Sequence, residues 1–566
     1  MRKHEVKLSR QEIHHKEMPN MPISNFIALA LIILQSLVNN HNSFSQIQIV
    51  GKVIDARNLD PLAYVNIGIK EKNIGTITTE EGSFKITIPA EYQFDSLTIS
   101  CVGYYDESLH IPALSSEKIV IIKMKEKTTQ LQEVIVNGKK LVEKKYGIKR
   151  RSPIRFTDGI FKKDDSFEIG QVIHLGNSPA EITSLNLHIN SSRPDSGSFR
   201  INFYRFDIDD NTPKERIVEK SILQRHPISE GWLKFDLSNY DIVIEGNVLV
   251  SLEFIPETEK DVKQILYEVK IGGSSKSFFR KNSLGQWTRP PHHYCLYVTA
   301  ITDKDAPEEG YDEETLPAIT LKSDFSNEPF SLFVRLPRNY SKNGTRTYPV
   351  IYLLDGNAYF DAVANSADSF FKKKKDFDDP IIVGIGYENA YIMDSLRNRD
   401  YTFPKALPAD SFKISGKGDR FYEFIKSKVI PTIDSTYRTD KGNRTIAGHS
   451  LGGYFVLYSM MRQLKEPVVF RNFVAASASI YYHDKYLIKE IESNHTYHKN
   501  IENVKLYLTI GELELSENRS VDFRKLSEIL VDKKINVRTE VYKNLEHMGT
   551  AIPTFENGIK RVMVKR

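Results

Sequence analysis

The sequence predicts a multidomain chain in which two all-β sandwich domains precede a C-terminal α/β domain. Three observations carry this expectation. At 566 residues the chain exceeds what one hydrophobic core supports and suggests about three or four domains. From Ile47 to about Thr302, short runs alternate apolar and polar residues between Gly, Pro, Asn and Asp breaks, the pattern of half-buried strands. From about Glu314 the rhythm changes to continuous apolar runs separated by helical patterns, which calls for a mostly parallel sheet covered on both faces.

The N-terminus reads as an address. Arg2, Lys3, Lys7, Arg10 and Lys16 precede an apolar run over residues 26–34, extended by Leu37 and Val38. An apolar core of about 13 residues is short for a membrane span and suits a signal peptide, so residues 1–45 are expected to direct export to the periplasm, the outer membrane or the extracellular space. A retained anchor is the alternative, because the charged leader is long, and Met18 or Met21 are other candidate starts. No Cys stands near the expected cleavage region, so lipoprotein attachment is not indicated.

Residues 46–124 alternate strand after strand, with a hairpin turning at Gly82, and predict a small β-sandwich. Residues 125–152 are dense in Lys, Glu and Arg and predict a linker. Residues 153–303 predict a second, jelly-roll-like sandwich, in which Trp232, Trp287 and several Tyr residues form either a sugar-stacking platform or, as the reading preferred here, core and edge aromatics. Net charge is +5 and spread along the chain, which gives no case for nucleic acid. The two cysteines, Cys101 and Cys295, cannot build a disulfide framework, and no Cys/His ligand spacing appears; the serine chemistry expected below needs neither a metal nor an organic cofactor.

The C-terminal region, 314–566, contains the segment NRTIAGHSLGGYFVLYSM over residues 443–460. It reads as strand, sharp turn and helix, with Gly448 and Gly452 clearing space for a strained Ser450. This is the nucleophile elbow of an α/β-hydrolase, and the order of the strands around it agrees. A serine hydroxyl needs an imidazole to take its proton, and the imidazole needs a carboxylate to hold its tautomer. In this fold the acid and His follow the Ser in chain order, in loops after late strands. Gly511-Glu512-Leu513-Glu514 and Asn544-Leu545-Glu546-His547 stand there. Glu514 is the expected acid with Glu512 as runner-up, and His547 the expected base. The oxyanion donors are expected to be the Leu451 N–H and an N–H of Gly356 or Asn357. Arg399 with Asp400 is read either as a contact for an anionic or polyhydroxylated substrate or as an internal ion pair. Tyr359, Tyr391, Tyr401, Tyr481 and Tyr482 are candidate pocket aromatics.

Two resemblances join this reading. GKVIDARNLDPLAYVNI, TITTEEGSFKI and ISCVGY resemble the carboxypeptidase-regulatory-like domain, which implies docking or presentation rather than catalysis and surface association through the β-domains. VIYLLDGNAYF, IVGIGYENAY, RNRDYTFP, IAGHSLGGYFVLYSM, ASASIYY, LTIGELE and EHMGTAIP resemble the "Putative esterase" family of α/β-hydrolases, which includes esterase D-like and enterochelin-esterase-like siderophore hydrolases. That resemblance implies Ser450 as nucleophile, His547 as base, an acid near Glu514 and a preformed pocket. The usual Ser-Pro-Ser of the family is Ser477-Ala478-Ser479 here, which bears on pocket shape. The function expected is an exported serine esterase cleaving carboxylic esters through an acyl-enzyme, the substrate a siderophore ester or an acylated carbohydrate. The rivals are a peptidase or acyltransferase on the same triad and a surface binding protein with a vestigial hydrolase fold.

Overall fold

The computed structural model describes residues 46–114, 119–127, 140–149, 154–156, 165–190, 195–256, 265–271, 276–290, 292–306, 316–341, 343–373, 377–388, 390–463, 466–493 and 504–562. The expected signal peptide, residues 1–45, lies outside them, as does most of the expected linker.

The first region pairs Ile47–Asp55 with Ser83–Ile88 and Val120–Met124 in one sheet, and Asn66–Ile69 with Ile74–Ile77 and Ser96–Ser100 in another. Alternation does the work: Ile49, Val53, Phe84, Ile86 and Ile122 point inward to a single apolar cluster while Lys85 and Lys123 face water. The second region stacks a six-stranded on an eight-stranded sheet, and Ile169, Leu185, Phe203, Leu252 and Val298 fill the space between them.

The expected linker needs correction. Leu141–Gly147 is a strand paired antiparallel with Leu296–Asp303, and its Tyr146 is wholly buried in the second core. The charge density of KLVEKKYG hid it. Lys144 is buried and donates from Nζ to the carbonyls of Lys304 and Ala306, so a lysine acts here as a buried cap. The tryptophans of this region pack as the preferred reading has them: Trp232 meets His188 and Tyr297, and Trp287 meets Tyr204 and Phe278.

The C-terminal region is one eight-stranded sheet. Its strands are β1 (Ile319–Leu321), β2 (Phe330–Arg335), β3 (Tyr348–Leu354), β4 (Ile381–Tyr387), β5 (Thr439–His449), β6 (Asn472–Ala476), β7 (Lys505–Gly511) and β8 (Asn536–Tyr542). Their spatial order is β1-β2-β4-β3-β5-β6-β7-β8, antiparallel as far as β4 and parallel from there on. Helices α1 (Gly356–Lys373), α2 (Ala390–Asp400), α3 (Leu451–Gln463), α4 (Glu517–Asp532) and α5 (Ala551–Val562) follow β3, β4, β5, β7 and β8. Strands β3, β4 and β6 are buried at every position, which is why they read as unbroken apolar runs. Parallel strands place all their C-terminal ends on one edge, and the segments leaving β3, β5, β6, β7 and β8 converge there. No helix among the described residues is long and apolar enough to cross a membrane.

Candidate active site

Ser450 sits between β5 and α3 in a left-handed conformation, φ +59°, a strained placement for a residue with a side chain. Its neighbours make it possible. A Cβ on Gly448 would lie 2.5 Å from the backbone of Gly452, so the turn closes only on glycine. The strained backbone is held on both sides, by Ser450 N–H donating to the Ala476 carbonyl at 3.0 Å and by Ser479 N–H donating to the Ser450 carbonyl at 3.1 Å.

Three side chains from three loops meet at this turn. Ser450 Oγ stands 2.9 Å from His547 Nε2, and His547 Nδ1 stands 2.6 Å from Glu514 Oε2. A carboxylate only accepts, so Nδ1 carries the proton and Nε2 presents its lone pair to the serine hydroxyl. The other oxygen of Glu514 accepts from Ser477 Oγ at 2.5 Å and from Gly511 N–H at 2.9 Å. Burial pushes the Glu514 carboxyl up, but hydrogen bonds from His547 and Ser477 outweigh it and hold the group below its usual range. Glu514 is therefore ionised at neutral pH. Glu512 turns away and accepts from the Asn544 N–H at 2.9 Å.

The expected oxyanion donors stand at the starts of two helices. Leu451 and Gly356 begin α3 and α1, which leave the ends of the adjacent parallel strands β5 and β3, and N–H groups in a helix's first turn have no intrahelical acceptor. Gly356 is required, because a Cβ there would meet the Gly384 backbone at 2.8 Å. Asn357 ties α1 to β4, its Oδ1 accepting from Tyr387 N–H at 2.7 Å and its Nδ2 donating to the Tyr387 carbonyl at 3.1 Å.

The candidate substrate contacts fare differently. Arg399 donates to Asp400, Glu328 and Ser326, so it is an internal clamp, the second of its two readings. Tyr359 is 4% exposed and bonded to His449 Nδ1 at 3.0 Å; Tyr401 is 1% exposed and accepts from Asp355 N–H at 3.0 Å. Neither lines an open pocket: each packs into the core with its hydroxyl satisfied. Tyr482 is buried too, donating to the Pro404 carbonyl at 2.8 Å. Tyr481 is 50% exposed, with Arg519 over its ring at 5.1 Å. The side chain of Tyr391 lies outside the described residues.

Three residues not assigned from sequence take part. Ser477, at φ +39°, orients Glu514. Ser479 Oγ stands 3.4 Å from Ser450 Oγ. Arg397 grips the Asp355 carboxylate through two bonds of 2.9 Å and reaches the His449 carbonyl at 3.3 Å, tying together the two loops that bear the helix-end N–H groups. The segment RNRDYTFP had marked the place, but residues 397 and 399 project to different sides of α2. Among the described residues no group of His, Cys, Asp or Glu could hold a metal ion.

Such an arrangement can draw a proton from the Ser450 hydroxyl, hold the resulting imidazolium against a carboxylate and offer N–H donors to an oxygen gaining charge. These are the parts of an ester hydrolase. The chain belongs to the family described as "Putative esterase", whose model matches residues 323–547; residues 49–136 match the CarboxypepD_reg-like domain. It is 33% identical over 204 residues, 34% of this chain and 69% of the relative, to the ferri-bacillibactin esterase BesA of Bacillus subtilis. It is 27% identical to the siderophore triacetylfusarinine C esterase of Aspergillus fumigatus over 29% of this chain and 56% of that protein. Among solved structures, the BES protein from Bacillus cereus is similar over 46% of this chain and 99% of its own, at 24% identity and a TM-score of 0.40.

Proposed function

We propose that the chain is an exported serine esterase of the α/β-hydrolase fold that cleaves carboxylic esters through an acyl-enzyme. Ser450 is the nucleophile, His547 the general base and then acid, and Glu514 the carboxylate that orients it; the N–H groups of Leu451 and of Gly356 or Asn357 receive the oxyanion. The observation that carries the reading is the continuous hydrogen-bond chain from Ser450 Oγ through the His547 ring to Glu514, at 2.9 and 2.6 Å. Attack by Ser450 Oγ forms a tetrahedral adduct while Nε2 takes the hydroxyl proton. Nε2 returns it to the leaving alcohol, and water attacks the acyl-enzyme by the same route in reverse.

The substrate is a siderophore-type ester rather than an acylated carbohydrate. Support comes from the relatives named for ferri-bacillibactin and triacetylfusarinine C, and the second sandwich lends the sugar reading nothing, since its tryptophans are taken up in packing. Export rests on the basic leader and short apolar run of residues 1–45, and surface association on the match of residues 49–136 to the CarboxypepD_reg-like domain. The test is a turnover screen of the exported form against p-nitrophenyl acyl esters, a catecholate triester and feruloyl sugars. Hydrolysis of the triester well above the sugars supports the reading; feruloyl sugars as the best substrate would reassign the substrate, and no hydrolysis of any ester would refute the activity.

A further inference from the structure

His547 is far more exposed than the carboxylate behind it: its side chain is 36% exposed while that of Glu514 is 5% exposed. Packing alone therefore does not fix its ring, and the loop that bears it has to be held by its backbone. One holding contact comes from a residue with no role in the mechanism above. His449, the last residue of β5, lies directly before Ser450 and is wholly buried. Its Nε2 stands 2.8 Å from the main-chain carbonyl of His547, and its Nδ1 stands 3.0 Å from Tyr359 Oη. The two imidazoles lie 4.6 Å apart, centre to centre.

The tautomer follows from the partners. A carbonyl only accepts, so the proton of His449 sits on Nε2; Nδ1 is then a bare lone pair, and the Tyr359 hydroxyl donates to it. Both groups are in the protonation state this needs. Burial, then the neighbouring His547 and Arg397, keeps His449 neutral, and burial keeps Tyr359 protonated.

Proton counting identifies His449 as the side-chain donor to that carbonyl. Thr550 Oγ1 also lies near it, at 2.9 Å, but is 2.6 Å from Ser477 Oγ. The single hydroxyl proton of Ser477 goes to the Glu514 carboxylate, the charged and stronger acceptor. Thr550 must then donate to Ser477, and its own proton is spent there. Among side chains, that leaves the proton on His449 Nε2 to serve the His547 carbonyl.

Resting on the esterase reading, we propose that His449 is a positioning residue for the base: in the tautomer set by Tyr359, it anchors the backbone of His547 so that the ring stays between Ser450 and Glu514. Its role is exerted through His547 and not on the substrate.

The test compares His449→Leu, His449→Gln and Tyr359→Phe with the parent, using p-nitrophenyl butyrate and proton NMR of the His547 Nδ1–H that faces Glu514. Loosening the base by a fraction of an ångström is expected to cost about 30-fold in kcat for His449→Leu with KM within about twofold, since misplacements near 1 Å cost about a hundredfold. Gln places an N–H donor at a similar reach and is expected to recover kcat to within about threefold of the parent, and Tyr359→Phe to lose about threefold. The Nδ1–H resonance should broaden in the Leu variant and return in the Gln variant. Parent-like kcat for Leu, a loss confined to KM, or Gln no better than Leu would each overturn the proposal. Should the Leu variant not fold, Tyr359→Phe keeps the ring and removes one oxygen; an unchanged kcat and resonance in it overturn the proposal equally. Ser450→Ala separates the two levels: full turnover in that variant sinks the esterase reading itself, whereas an inactive Ser450→Ala beside a parent-like His449→Leu sinks only the anchor.

Discussion

Two buried polar networks in this molecule are built from similar residues and serve opposite ends. In the second sandwich, Glu168 and Glu253 are surrounded by donors. Arg280 Nε and Asn202 Nδ2 donate to Glu168 at 2.7 and 3.0 Å, while Arg200 and the Ser166 hydroxyl donate to Glu253 at 3.0 and 2.7 Å. The first region covers this cluster, the Arg200 guanidinium also donating to the Tyr64 carbonyl. Each carboxylate there is matched by a fixed cation, and the network is closed in charge. In the C-terminal region a single carboxylate, Glu514, leads through the imidazole of His547 to a half-buried hydroxyl. That network has an open end. Matching every charge with a fixed ion makes a scaffold; leaving a titratable ring between an anion and a hydroxyl makes a proton path.

The contrast can be broken from either side. Ser450→Ala removes the open end and should lower turnover on the order of a million-fold, measured with a p-nitrophenyl ester, while the unfolding midpoint stays near the parent value. Glu514→Gln should cost on the order of ten thousand-fold in kcat. Glu512→Gln should cost less than about fivefold, because Glu512 holds a loop N–H rather than the ring. An equal, small loss from both would mean that a Ser–His dyad suffices.

Arg200→Met tests the closed network. It strands Glu253 as a buried, under-compensated charge and should destabilise the molecule by about 3–5 kcal/mol in a denaturant melt. Hydrolysis measured where the variant is folded should stay within about twofold, as distant sites act independently. The same cluster also carries a pH dependence. Burial pushes the Glu253 carboxyl up, but Arg200, Arg280 and the Ser166 hydroxyl overcome that and bring it down to about 2 from 4.5. The folded value is depressed, so this stabilisation is complete above about 4.5 and is lost as pH falls toward 2. Glu253→Gln should flatten the stability profile over that window.

What the sequence revealed and what it hid divide along the range of the forces involved. The turn at Ser450 was legible because Gly448 and Gly452 answer a local steric demand. The meeting of Ser450, His547 and Glu514 was legible because parallel strands bring their C-terminal ends together, so chain order alone predicts which loops converge. The strand Leu141–Gly147 was not legible, since nothing local shows that Lys144 will find carbonyls at 304 and 306. Tyr359 and Tyr401 were misjudged as pocket aromatics for a related reason: a tyrosine looks the same in sequence whether its hydroxyl meets water or a buried acceptor. Arg397 and Arg399 stand roughly 200° apart around a helix, and only the packing of α2 decides which of them grips Asp355.

The most direct test is chemical labelling at a single atom. The purified chain is treated with a fluorophosphonate, which requires an activated hydroxyl beside an oxyanion site, and the adduct is mapped by peptide mass spectrometry. The account predicts one phosphonyl group per chain, on Ser450, with ester turnover lost in step with its appearance and labelling strongly slowed in His547→Ala. Turnover that persists after Ser450 is fully modified, or a label on any other residue that tracks the loss of activity, would contradict it.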